Sequence, residues 1–149
     1  MRLDKNKLAA IKPYECKHIR IMHRMGMSLT HWLKQKHVAA VIDSSNRIVN
    51  IGVNKVKSDP FQLVNSLSRK TLEHPEYQYT FPHAECSALK GLDKDMMKHC
   101  SIFVIRVDPE TGNLMESKPC PGCMRLIKKM DIGRIIHSTK EGLLSEIIL

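Results

Sequence analysis

Apolar positions along the chain recur at two spacings. Between residues 14 and 35, Ile19, Met22, Met25, Leu29 and Trp32 are three or four residues apart, the stripe of an amphipathic helix. Gly26 is a weak point inside that stripe, because glycine costs a helix interior roughly 1 kcal/mol relative to alanine. "HVAAVI" (37–42) reads as a short, mostly buried strand, and "DSSN" (43–46) as a turn by composition. "RIVNIGV" (47–53) alternates and puts Val49, Ile51 and Val53 on one face of a strand. The two strands make a β-hairpin.

Further on, Asp59 and Pro60 open a helix through Phe61, Leu63, Val64 and Leu67, and "HPEYQYTFP" (74–82) is a loop. A helix follows from about His83 to Gly91. "SIFVIRV" (101–107) is a strand, "DPETGN" (108–113) a turn, and "LMESK" returns as a short strand or arm. Pro121 suits the first turn of a helix running to about Met130. "GRIIHS" (133–138) is another strand. The terminal "EGLLSEIIL" fits strand and helix alike.

Strands alternating with helices predict an α/β layer fold, with helices packed on a mixed sheet. The β-α-β stretch from 101 to 137 predicts a right-handed crossover. There is no internal repeat, low-complexity tract or linker, so the 149 residues read as one domain, 1–149. That length can bury roughly 70% of the surface an unfolded chain exposes.

Composition narrows the class. Hydrophobic content of 42% argues against disorder across the whole chain. No run approaches the ~18 apolar residues of a membrane span, and the N-terminus is too charged for a secretory signal. The expectation is a soluble, cytoplasmic protein with no membrane partner. The net charge of +9 favours anionic partners such as nucleotides, nucleic acids or an acidic surface. It does not choose among them, and an ordinary solvated face accounts for it equally well.

Candidate chemistry lies in two short stretches. The five cysteines stand at 16, 86, 100, 120 and 123. In a reducing compartment a close pair is more often a metal or redox device than a disulfide framework. Cys120 and Cys123, in "PCPGC", are that pair, at i and i+3 on one face of a helix start. Unpaired N–H groups and the helix dipole there favour thiolates. His83, in "FPHAECSALKG" (81–91), also stands at a helix start. Bringing the two helix starts together gives one imidazole and two thiolates. Three protein ligands with an open fourth position describe a catalytic zinc site rather than a closed structural one. Zn²⁺ with two thiolates is formally neutral, so its water needs a base nearby, and Glu85 is placed to be that base. The remaining cysteines read as small buried groups, and the other histidines as surface or core residues.

His83-Ala84-Glu85 followed by Pro119-Cys120-Pro121-Gly122-Cys123 resembles the H-x-E…P-C-x-x-C signature of the zinc-dependent cytidine and deoxycytidylate deaminase superfamily. The likeness extends from about residue 37 to 138, through the hairpin ending in Gly52-Val53-Asn54 and the strand "IGRIIHS". It implies a three-layer α/β/α sandwich on a five-stranded mixed sheet. It implies one Zn²⁺ on His83, Cys120 and Cys123, with Glu85 as the catalytic proton shuttle. It also implies that Asn54 contacts the substrate sugar, that Ala84 contacts the base through its backbone, and that the chain forms a homo-oligomer.

The arrangement "SKPCPGC", which includes Ser117, is most like dCMP deaminase-type proteins, phage ones among them. The resemblance therefore implies hydrolysis of the exocyclic amine of a free cytosine nucleotide. Two alternatives stay open: a deaminase of cytosine or adenosine within single-stranded DNA, RNA or tRNA, and a silent deaminase-like binding module. In place of the Gly-rich, Arg-containing segment of regulated dCMP deaminases, this chain has "NKVKSDP". Lys55, Lys57 and Arg69 are candidates to take over a phosphate there, with a solvated basic loop as the plainer reading. Tyr77, Tyr79 and Phe81 form either a stacking wall for a base or a packed loop.

Overall fold

The computed structural model describes residues 13–30, 35–55 and 83–149. The helix expected from Asp59 and the aromatic loop at 74–82 lie outside the described residues.

A short 3₁₀ turn, Pro13–Glu15, leads into α1 (Cys16–Ser28). Ile19 and Met22 of the expected stripe are fully buried, while Met25 and Leu29 are half-buried. The helix is shorter than the stripe suggested, and Trp32 lies outside the described residues. Gly26 has a different meaning in three dimensions. A Cβ there would come within 2.8 Å of Val107 Cγ2. The glycine is where the helix meets the sheet, so the missing side chain permits a close approach.

β1 (Lys36–Ile42) and β2 (Ile48–Val53) pair antiparallel, as the hairpin reading requires. The turn between them is held by Asp43 Oδ1, which accepts from the N–H groups of Ser45 and Arg47, each at 2.9 Å. One expectation is corrected. Val41 pairs with Asn50 but Ile42 pairs with Ile48, so Val49 is the extra residue of a β-bulge. The bulge turns Val49 out, 39% exposed, while Ile51 and Val53 pack inward.

α2 (Ala84–Leu89) and a 3₁₀ turn at Lys94–Met96 precede β3 (Ser101–Val107). β4 is the two-residue arm Leu114–Met115, paired back on the end of β3. α3 (Pro121–Lys129), β5 (Arg134–Ser138) and β6 (Leu144–Ile148) complete the chain, so the ambiguous terminal segment is a strand. The strand order is β2-β1-β3-β5-β6, with β4 off this path. β3 and β5 are parallel, as a crossover through α3 demands, and the other pairs are antiparallel. The five expected strands are present, and β4 makes a sixth.

Alternate strand residues face opposite ways, and the core divides accordingly. Ala39, Val41, Ile102, Val104 and Ile135 pack with α2 and α3. Val38, Ala40, Ile42, Phe103, Ile105, Val107 and Ile136 pack with α1. The result is the α/β/α sandwich. Among the described residues no helix is long and apolar enough to cross a membrane.

Candidate metal centre

The site forms where the N-termini of α2 and α3 meet. His83 is the N-cap of α2, with extended backbone (φ −77°, ψ 155°), and its side chain does not cap its own helix. Its Nδ1 instead lies 3.3 Å from Cys123 Sγ and 3.6 Å from Cys120 Sγ. Cys120 is the N-cap of α3, and its sulfur accepts from the Cys123 N–H at 3.5 Å. Pro121 follows at the first helical position, where its missing N–H costs nothing. Cys123 is fully buried one turn into the helix.

The three ligand atoms lie within 4.8 Å of one another. Bonds of about 2.3 Å to sulfur and 2.0–2.1 Å to nitrogen put tetrahedral ligands roughly 3.6 Å apart. The two His83–sulfur separations match that spacing, and all three atoms lie close enough to share one ion, so the cluster fits zinc in donor type and size.

Electrostatics at the cluster suit a cation. Cys120 is pulled down to about 4 by its interaction with Cys123, and further by His83 and the Cys123 N–H, against the opposing effect of burial. Cys123, fully enclosed, is pushed up by the neighbouring Cys120 sulfur, by Cys86 and by burial. Without a metal the pair therefore holds one proton, which a bound cation would displace. At His83, burial opposes the charged form, but the Cys120 sulfur and Glu85 outweigh it, and the imidazole is raised.

Glu85, in the first turn of α2, is only 4% exposed. Burial raises its carboxyl pKa, with His83 as the main opposing influence. A carboxyl this enclosed beside the His83 imidazole is suited to exchanging a proton with a bound reactant.

Gly52 sets how close α2 comes to the sheet. A Cβ on it would lie 2.3 Å from Ala88 N and 2.5 Å from Ala84 O. Asn50, two residues earlier on the same face, donates from Nδ2 to Ala88 O at 2.8 Å. These contacts seat α2 and hence His83. Ala84 is fully buried at the first position of α2, where backbone N–H groups have no intrahelical acceptor.

Other sequence-predicted residues have different surroundings. The Asn54 amide is held by backbone on both sides: Oδ1 accepts from His37 N at 2.9 Å and Nδ2 donates to Gln35 O at 2.6 Å. The Ser117 hydroxyl is buried in the strand junction, donating to Val104 O at 2.7 Å and paired with Ser138 Oγ at 2.7 Å. Lys55 is exposed at the end of the hairpin. Lys57, Arg69, Tyr77, Tyr79 and Phe81 lie outside the described residues.

Sequence reasoning missed His37 and Arg106. They are direct partners across β1 and β3. Alternation puts both on the α2/α3 face, in step with Ala39 and Val104. His37 senses the charges of both Arg106 and His83. The signal was a polar residue ending each apolar run, but its meaning depended on knowing that these two strands pair. Cys86 and Cys100 are buried as expected, and Cys16 is half-buried.

No protein-family model matches the chain, and no curated protein matches it. Solved structures do. A cytidine deaminase from Burkholderia pseudomallei superposes with a TM-score of 0.54 at 14% identity, covering 87% of this chain and 88% of that one. A cytidine deaminase from Mycobacterium leprae gives a TM-score of 0.46 at 16% identity, covering 86% and 92%. The chain has the cytidine deaminase-like fold.

Proposed function

We propose that the protein is a zinc-dependent hydrolytic deaminase acting on the exocyclic amine of a free cytosine nucleotide of the dCMP type. One observation carries the reading: His83, Cys120 and Cys123 converge from two helix N-termini, with the buried Glu85 carboxyl two residues from the histidine. A structural zinc site would be closed by a fourth protein ligand. Among the described residues the cluster holds three.

The bound ion would supply a Lewis acid that makes water nucleophilic near neutral pH. His83 Nδ1 and the two sulfurs would hold it. Glu85 takes a proton from the attacking water and gives it to the departing amine. Water adds at the carbon bearing the amine, the C–N bond breaks, and ammonia leaves. The first-turn N–H groups of α2, including that of Ala84, are donors for the oxygen side of the base. The basic chain favours an anionic substrate over a neutral nucleoside. The reading also includes a homo-oligomer working in the cytoplasm.

The test is ammonia release by zinc-loaded protein from deoxycytidine, dCMP, dCTP, CMP, a cytosine-containing single strand and a tRNA. Turnover of a mononucleotide is expected. Release only from a strand would make the protein an editing enzyme, and release from none would leave a binding module. Glu85→Gln should keep its zinc and lose about 10²–10⁴-fold in rate. Full activity in that variant removes Glu85 from the proton path.

A further inference from the structure

Arg106 lies at the carboxyl end of β3. Ile102 and Val104 of the same strand pack in the core beneath α2 and α3, so alternation puts Arg106 on that face as well. His37 is its direct neighbour on β1. Asn54 clasps the backbone of Gln35 and His37 and so fixes the position of the histidine. These residues gather where β2, β3 and β5 end and β1 begins. In open α/β sheets ligands bind outside the carboxyl ends of the strands. His37 lies within electrostatic reach of both Arg106 and His83.

The Arg106 side chain is half-buried, and its guanidinium has no hydrogen-bonded or ion-paired partner among the described residues. Asp108 feels its charge, but that carboxylate is engaged by the turn, through Glu110 N at 3.0 Å and Thr111 Oγ1 at 2.9 Å. Arginine keeps its charge throughout the physiological range, and its planar fork matches a phosphate. Burial, with help from Arg106 and His83, holds His37 neutral, lowered to about 3. His37, half-buried, is the cross-strand neighbour of Arg106 on the same face of the sheet.

We propose that Arg106 receives the 5′-phosphate of a pyrimidine mononucleotide whose base lies toward His83 and Glu85. The assignment rests on the deaminase reading for the position of the base. It moves phosphate recognition from the lysines after Asn54 to the opposite side of β1.

The experiment is calorimetric titration of the zinc-loaded full chain with dUMP, which has no amine to lose, and with deoxyuridine, which lacks the phosphate. The wild-type protein should bind dUMP at least about 10-fold more tightly than deoxyuridine. Arg106→Gln should weaken dUMP about 10–100-fold and leave deoxyuridine unchanged. Arg106→Lys should lose less, because it keeps the charge but not the fork. Zinc content and the unfolding midpoint of each variant check that it folds.

Equal wild-type affinity for the two ligands, or unchanged dUMP affinity in Arg106→Gln, overturns the assignment. So does a variant that weakens a deoxyuridine-containing strand but not dUMP. The ammonia-release panel separates the two readings. Arg106-dependent dUMP binding without turnover of any substrate keeps the phosphate site and removes the deaminase. Turnover of dCMP with Arg106-independent dUMP binding does the reverse.

Discussion

The two faces of the sheet are built from alternate residues of the same strands, yet they are packed differently. The α1 face is filled by large side chains: Ile19, Met22, Phe103, Ile105, Ile136 and Leu144. The opposite face holds large side chains as well, Leu89, Ile102, Ile127 and Ile135 among them, but it seats α2 on the sheet through small groups at Gly52, Ala84 and Ala88. Ion pairs also differ. On the α1 face Arg134 joins Glu15 to Glu146 and passes 6.0 Å from the Phe103 ring, fastening the start of α1 to β5 and β6. On the other face the charged and polar groups point into the protein, at Glu85, His83 and the Cys120–Cys123 pair. The α1 face is fastened by apolar packing and ion pairs near its edge. The other brings α2 close against the sheet, where its N-terminus meets that of α3.

That contrast is open to attack from either side. The largest functional effect is expected from Cys123→Ser. It should abolish stoichiometric zinc binding and turnover, since two remaining ligands do not hold the ion. Metal content by mass spectrometry under native conditions checks this, and full retention of zinc would remove Cys123 from the ligand set.

Phe103→Ala attacks the other face. A fully buried phenylalanine truncated to alanine costs about 3–5 kcal/mol. Chemical denaturation should show that loss while zinc stoichiometry stays the same. Zinc loss in the folded variant would mean that the two faces are coupled.

Gly52→Ala is smaller and more pointed. The new methyl would meet the backbone of α2, which cannot move aside like a side chain. A cost of about 1–3 kcal/mol is expected. Zinc affinity should fall as well, because the shift moves His83. An unchanged affinity would show that α2 can slide without disturbing its N-cap.

The effect spread most thinly over conditions is a pH slope. The folded pKa of His37 is about 3, below its ordinary value of 6.5, chiefly through burial. Its neutral form therefore contributes stability that is present above pH 6.5 and lost as pH falls toward 3. His37→Gln should reduce the pH dependence of unfolding in that window by at most ~1.4 kcal/mol per pH unit. Parallel wild-type and variant curves would show that His37 is solvated.

The sequence by itself determined the strands and the grouping of His83, Cys120 and Cys123. Period-two and apolar runs give β1, β3 and β5 nearly to the residue, because a strand buried on both faces needs apolar side chains at almost every position. The candidate metal site was legible because its residues sit at helix starts marked by local signals, Pro121 among them. The hairpin bulge at Val49 was not legible, since a bulge depends on the register of a partner strand.

Tertiary structure decided the rest. Gly26 and Gly52 became contact points only once a helix lay across them. Asn54 and Ser117 carry polar side chains suited to a ligand, but the fold engages them with backbone carbonyls and N–H groups of neighbouring strands. His37 and Arg106 are 69 residues apart in the chain and become neighbours through the pairing of β1 with β3. Local pattern records which way a residue faces, whereas only strand order and register determine what it faces.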